Sequence, residues 1–164
     1  MVDGAKYEFR ISKYNRDFGQ EYFLDDDWTS ISDVGKVFKG RVLTYSAYEH
    51  VENQYLLLIS KICSELNVSK MRVTNLENPF NLYNYRNRIV LKSIDEIISV
   101  ARDCLREKYW CKLTSNTLSF HFGYDYYLYV CSPLNYQFMS CLVRDCGLFI
   151  VIGECRSESH RQHR

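Results

Sequence analysis

A chain of 164 residues has the length of one domain and can bury a core without disulfides or metals as staples. With 46% hydrophobic and 25% charged residues it is not a disordered chain. The formal charge is +1, and the stretch Arg156–Arg164 holds three of the 21 cations and one of the 20 anions, so the remainder carries −1; a near-neutral body argues against a dedicated nucleic-acid binder.

Lys6–Tyr14 alternates, with Tyr7, Phe9 and Ile11 on one face and Glu8, Arg10 and Ser12 on the other, which predicts a half-buried strand. A polar stretch from Asn15 ends in Asp25-Asp26-Asp27 before Trp28. Thr29, Ser30 or Ser32 is placed to cap a short helical turn through Val34, stopped by Gly35. Thr44 is a suitable N-cap for the longest helix, Tyr45–Leu66, with Asn67 at its end. Its apolar set, Tyr48, Val51, Tyr55, Leu58, Ile59, Ile62 and Leu66, recurs every three or four residues and assigns one stripe to the core.

Lys70–Leu76 alternates again, and the aromatic, polar stretch Glu77–Asn87 with Pro79 reads as loop. A short strand over Arg88–Lys92 leads to the capping box Ser93-Ile94-Asp95-Glu96. The helix it opens carries Ile94, Ile97, Ile98, Ala101, Cys104 and Leu105 on one face. Tyr109–Leu113 and Leu118–Phe122 are strands joined by Thr114–Thr117. Tyr126–Val130 either continues past a bend at Gly123 or returns as a hairpin, and the hairpin is preferred. Pro133 and Asn135 precede a third helix carrying Phe138, Cys141, Leu142 and Cys146, stopped by Gly147. Leu148–Ile152 is apolar throughout and reads as a buried central strand. The order defines an α+β fold: a mixed, largely antiparallel sheet packed against two or three amphipathic helices, one domain over 1–155 with 156–164 as a polar, frayed tail.

Fourteen tyrosines and nine phenylalanines stand out against seven glycines and two prolines. They fit a β-rich core whose tyrosine hydroxyls reach water, with some tyrosines left for a recognition surface. The seven cysteines are odd in number, lack C-x-x-C spacing and lie mostly in apolar stretches, so free buried thiols are expected rather than disulfides or zinc. Met1–Gly4 leads directly into a polar, strand-like segment, and no apolar run approaches a membrane span, so the expected location is the cytoplasm.

No motif for a nucleophile elbow, a zinc protease, a phosphate loop or a dinucleotide fold occurs. His160 and His163 fall in the tail, and His50 on the polar flank of the long helix. His121 lies between Phe120 and Phe122 and faces solvent or a partner if they face inward. Cys131 and His121 could meet across a hairpin, as any two residues there could. Asp25, Asp26, Asp27 and Asp33 lack the glycine and closing glutamate of a calcium loop, which suits a basic partner better than a metal. Tyr83, Tyr85, Arg86 and Arg88 set aromatics beside cations, a thin version of a single-strand binding surface.

Two blocks carry a family likeness. One is Phe9-Arg10-Ile11-Ser12-Lys13-Tyr14 followed by Asp27-Trp28-Thr29-Ser30-Ile31-Ser32-Asp33-Val34-Gly35. The other is Trp110-Cys111-Lys112-Leu113 followed by Phe120-His121-Phe122-Gly123-Tyr124-Asp125-Tyr126-Tyr127-Leu128-Tyr129. Together they resemble small bacterial immunity proteins, those encoded beside polymorphic or contact-dependent growth-inhibition toxins. The resemblance implies a cytoplasmic inhibitor that binds a toxin domain stoichiometrically, without turnover, cofactor, metal or nucleic acid. Its candidate anchors are Trp28, His121, Tyr124, Tyr127 and Tyr129, with Asp25, Asp26, Asp27, Asp33 and Asp125 meeting a basic toxin surface. The alternatives are a small nucleotide- or RNA-acting enzyme centred on His121, Tyr124 and Asp125, and a nucleic-acid-binding accessory protein.

Overall fold

Alternating strands leave one face apolar, and among the described residues seven strands share that face in one antiparallel sheet. The computed structural model describes residues 6–15, 27–78 and 86–156. In chain order the elements are β1 (Lys6–Ser12), β2 (Val37–Phe38), β3 (Arg41–Val42), α1 (Tyr45–Glu65), β4 (Met71–Glu77), β5 (Val90–Leu91), α2 (Ile94–Leu105), β6 (Trp110–Thr114), β7 (Ser119–Phe122), β8 (Leu128–Ser132), α3 (Tyr136–Asp145) and β9 (Phe149–Arg156). The sheet order is β5-β4-β6-β7-β8-β1-β9, and β2 and β3 form a separate ribbon. Each described strand pairing is antiparallel. The architecture is α+β, with the sheet packed against the helices.

Local chemistry explains the boundaries. Thr44 Oγ1 accepts from the Ala47 amide and starts α1, and Asn67 at φ 51° ends it one residue beyond the Leu66 cap. Ser93 Oγ accepts from the Glu96 amide, but Glu96 Oε2 reaches the Lys92 amide at 2.7 Å, one residue before the expected partner. Gly35 and Gly147, at φ 94° and 75°, stop the turn after Ser30 and helix α3. A left-handed Asn75 at φ 51° interrupts β4 and breaks its register with β6 between Thr74 and Glu77.

The core lies between the sheet and the helices. Phe9, Ile11, Met71, Val73, Cys111, Leu113, Phe120, Phe122, Leu128 and Val130 face Tyr48, Tyr55, Leu58, Ile59 and Ile62 of α1, Ile97, Val100, Ala101, Cys104 and Leu105 of α2, and Met139 and Val143 of α3. Tyr55, Leu58, Ile59, Ile62, Ile97, Ala101 and Leu105 are the expected core residues, whereas Val51 and Ile98 are half-buried at its margin.

Two expectations are corrected. Leu148–Ile152 is no central strand, because β9 lies at an edge and pairs with β1 alone. Leu148 is buried and Ile150 packs against the core, while Phe149 is exposed, and α3 lies against this strand. Helix α3 buries Met139 and Val143, and its C-cap Cys146 is buried too, while Phe138 and Cys141 are exposed and Leu142 half-buried. Apolar residues at 138, 139, 141, 142 and 143 support two stripes equally, and docking against the core selects the second. Cys63, Cys104, Cys111, Cys131, Cys141 and Cys146 are free thiols, as expected, and Cys104 and Cys111 lie with their sulfurs 3.6 Å apart. No helix of the described residues is long and apolar enough to cross a membrane.

A charged residue sits inside this core. Glu52 falls on the apolar stripe of α1, four residues after Tyr48, and its side chain is 0% exposed. Arg106 at the end of α2 grips it with two hydrogen bonds of 2.8 Å, and Arg102 adds a contact at 3.2 Å. The bond to Glu52 and the charge beside it hold the Arg106 pKa above its ordinary value. Removing one partner of a buried pair leaves the other charge uncompensated. Arg106→Ala should therefore destabilise the fold by about 3–5 kcal/mol, whereas Glu52→Met, which removes the buried charge at similar volume, should cost much less. Urea denaturation of the two variants checks the order, and a loss below about 1 kcal/mol for Arg106→Ala would contradict it.

Candidate functional site

Strands β7 and β8 form a hairpin, with Phe120 opposite Val130 and Phe122 opposite Leu128 on the core side. His121 and Tyr129 are therefore paired on the other side, where their rings lie 5.8 Å apart. Among the described residues no helix packs on this second face of the sheet. The same register carries a row across it: Arg10 opposite Tyr129, Tyr129 opposite His121, His121 opposite Lys112 and Lys112 opposite Thr74.

The hairpin turn is strained and firmly held. Asp125 and Tyr126 sit at φ 58° and 64°, the left-handed region demanded at both centres of a tight hairpin turn and usually filled by Asn or Gly. A tyrosine there costs of order 1–3 kcal/mol and persists only where its surroundings fix it. Tyr14 donates its hydroxyl to the Asp125 carbonyl at 3.0 Å, and Tyr55 donates to the Tyr126 carbonyl at 2.6 Å. The Tyr126 hydroxyl donates to Tyr48 at 3.0 Å, and Gly123 N–H closes the loop on the Tyr127 carbonyl at 2.9 Å. Burial raises the pKa of the Tyr48, Tyr55 and Tyr126 hydroxyls, so they remain proton donors. These hydroxyls bond inside the protein and do not reach solvent as the composition suggested. The outcome at the surface is Tyr124, 85% exposed at the tip.

A cleft of about 530 Å³ opens beside this turn. It is lined by Tyr124, Asp125, Tyr127, Tyr129 and His121, joined by Trp110 and Glu77 from the neighbouring strands. Five of the sequence candidates thus meet in one place. Gly123 forms part of the wall because Tyr129 leans over it: a Cβ at that position would stand 2.6 Å from the Tyr129 ring. Tyr127 is buried, edge-on to Tyr14, with the Arg10 guanidinium 5.1 Å from its ring centroid.

The remaining candidates lie elsewhere. Trp28 is 7% exposed, wedged against Tyr48 and Tyr126 with centroids at 5.4 and 5.2 Å, so it anchors the core and offers no ring to a partner. Asp27 pairs with Lys13 at 3.1 Å and accepts from the Trp28 amide at 2.8 Å. The Lys13 side chain is 5% exposed, and its ammonium lies 3.9 Å from the Trp28 ring centroid. Burial pushes its pKa down to about 8. Asp33 accepts from the Thr29 and Ser30 amides and from Lys36, closing a capping box. Burial opposes ionisation of Asp33, but these bonds win and lower its pKa. Both carboxylates are thus used within the chain. Asp25, Asp26, Tyr83 and Tyr85 lie outside the described residues. Cys131 is opposite Ser119, which leaves it only a diagonal neighbour of His121. Among the described residues no group of three His, Cys, Asp or Glu side chains could hold a metal ion.

Sequence reasoning missed Trp110 and Glu77. Their signal was the strand alternation of Trp110-Cys111-Lys112-Leu113, which puts Trp110 on the face opposite Cys111 and Leu113. Comparison with protein families, with curated proteins and with solved structures returns no match.

His121 is held below its ordinary pKa by partial burial first and by the Lys112 charge second. A depressed histidine pKa makes the folded state bind fewer protons than the unfolded one, so this group favours folding less as pH falls below about 6.5. An NMR titration should place the His121 midpoint below that of an unfolded histidine, and Lys112→Gln should recover only the smaller part of the shift. Full recovery in that variant would make the charge, not burial, the leading cause. Gly123→Ala should swing the Tyr129 ring off the turn and change the ring-current shifts on His121; unchanged shifts would refute the steric reading.

Proposed function

We propose that the chain is an immunity protein that binds and neutralises a bacterial toxin domain in the cytoplasm by forming a stoichiometric complex. The observation that carries this reading is Tyr124, 85% exposed on a turn that is strained at two residues and tied by four hydrogen bonds. Backbone strain of this kind collects at functional sites. A rigidly presented aromatic costs little ordering entropy on binding, which is why tyrosine and tryptophan dominate interface hot spots.

The second support is the company Tyr124 keeps. His121, Tyr129 and the half-buried Trp110 provide aromatic surface on the strands beside it, with Glu77 and Asp125 as a polar border. A toxin loop or helix end seated in this cleft would be blocked stoichiometrically, with no chemistry required of the inhibitor. Arrival on rigid strands leaves affinity to be set by these few contacts.

The test is expression of the toxin domain encoded by the adjacent gene, with and without this protein, scored by growth and by binding. Tyr124→Ala should weaken the complex by about 2 kcal/mol or more, roughly thirtyfold, while leaving stability within about 0.5 kcal/mol of the parent. Absence of protection and of a complex at about 10 μM would reject the proposal.

A further inference from the structure

The charges on the open face differ from those an acidic loop would supply. Lys13, Lys36, Arg102, Arg106 and Lys108 form ion pairs, and none of them lies on the open-face row. Arg10, Lys112 and Arg72, all on the open face, take part in none among the described residues. Arg10 is the most telling. Its Nε is buried with no hydrogen-bond partner among the described residues, while the residue as a whole is half-buried, and its guanidinium lies 5.1 Å from the Tyr127 ring centroid. A desolvated charged donor without an acceptor is unfavourable, and a carboxylate meets a guanidinium with short, paired hydrogen bonds. Register places this donor beside Tyr129, which pairs with His121, which pairs with Lys112.

We infer that this row receives an acidic segment of the protein partner, with one carboxylate on Arg10 and a second near Lys112, and the Tyr129 and His121 rings between them. The inference rests on the immunity reading for the partner's identity but not for its chemistry. A polyanion such as RNA fits less well. The same surface carries Glu8, Glu77 and Asp125, which repel a continuous line of phosphates, and the body as a whole is nearly neutral. Discrete carboxylates spaced along a protein segment avoid those acids. Lys112 and Arg72 then set the approach, so association should slow as salt rises.

The test has two arms. In the first, the intact protein is titrated by NMR with a short peptide alternating glutamate and glycine, a lysine–glycine peptide of equal length, and a short oligothymidylate. The glutamate peptide should shift the Arg10 Nε–H resonance and the Tyr129 and His121 amides saturably, and Arg10→Gln or Lys112→Gln should weaken it by about tenfold. No movement of the Arg10 resonance up to millimolar peptide would overturn the inference. So would tighter binding by oligothymidylate, or equal shifts with the lysine peptide. In the second arm the adjacent gene's toxin domain is bound to the same variants. Unchanged affinity for Arg10→Gln would overturn the acidic-segment inference and leave immunity standing. A toxin domain that does not bind at all would reject immunity, while the peptide arm still decides the chemistry of the row.

Discussion

A carboxylate buried in an aromatic core governs how this molecule is built. Taking Glu52 out of water costs several kcal/mol, and the structure recovers it by bringing Arg102 and Arg106 of α2 onto the apolar stripe of α1. Arg106 also reaches the Tyr45 hydroxyl at 3.1 Å, so the start of α1 and the end of α2 are joined at one point. Tyr48, one turn before Glu52, faces the carboxylate and accepts from Tyr126 in the β7–β8 turn. The chain Arg106, Glu52, Tyr48, Tyr126 therefore runs from helix to helix to hairpin. A network satisfied at every member fixes one geometry, and here that geometry is the strained turn presenting Tyr124.

The aromatic cluster does the same from the other side. Trp28, Tyr48, Tyr55 and Tyr126 pack edge to face or tilted, with centroids 5.0–5.9 Å apart. Lys13 and Asp27 hold Trp28 in place, and Tyr14 links the Trp28 carbonyl to the Asp125 carbonyl. Asp27 is thus part of the support for the hairpin. The face it supports carries aromatic rings and cations that form no ion pair among the described residues, so the proposed binding surface and the scaffold are distinct sets of residues within a few strands of each other.

Much of the fold was legible because its signals are local. Thr44, Ser93 and Gly147 punctuate helices by chemistry that needs no tertiary context, and Lys6–Ser12 alternates with the period of a strand. His121 was assigned to the exposed face by its place between two phenylalanines, and the hairpin put Tyr129 beside it. What depended on tertiary choice was not legible. The α3 stripe had two equal solutions, and the edge position of β9 leaves no trace in an apolar run. Trp28 read as a surface anchor because an isolated tryptophan after three aspartates has no period to place it; Lys13 then buries it. Glu52 was invisible because a glutamate on a helix is ordinarily solvated, and only two arginines from a distant helix reverse that expectation.

The central proposal is that the face carrying His121, Tyr124 and Tyr129 is the one that meets a protein partner, and the helical face is not. Amide hydrogen exchange on the chain alone and with the adjacent gene's toxin domain tests it most directly. The account predicts added protection in β6, β7 and the Gly123–Tyr129 turn, with α1 and α3 unchanged. Protection confined to the exposed sides of α1 and α3, with the hairpin exchanging as in the free protein, would contradict it.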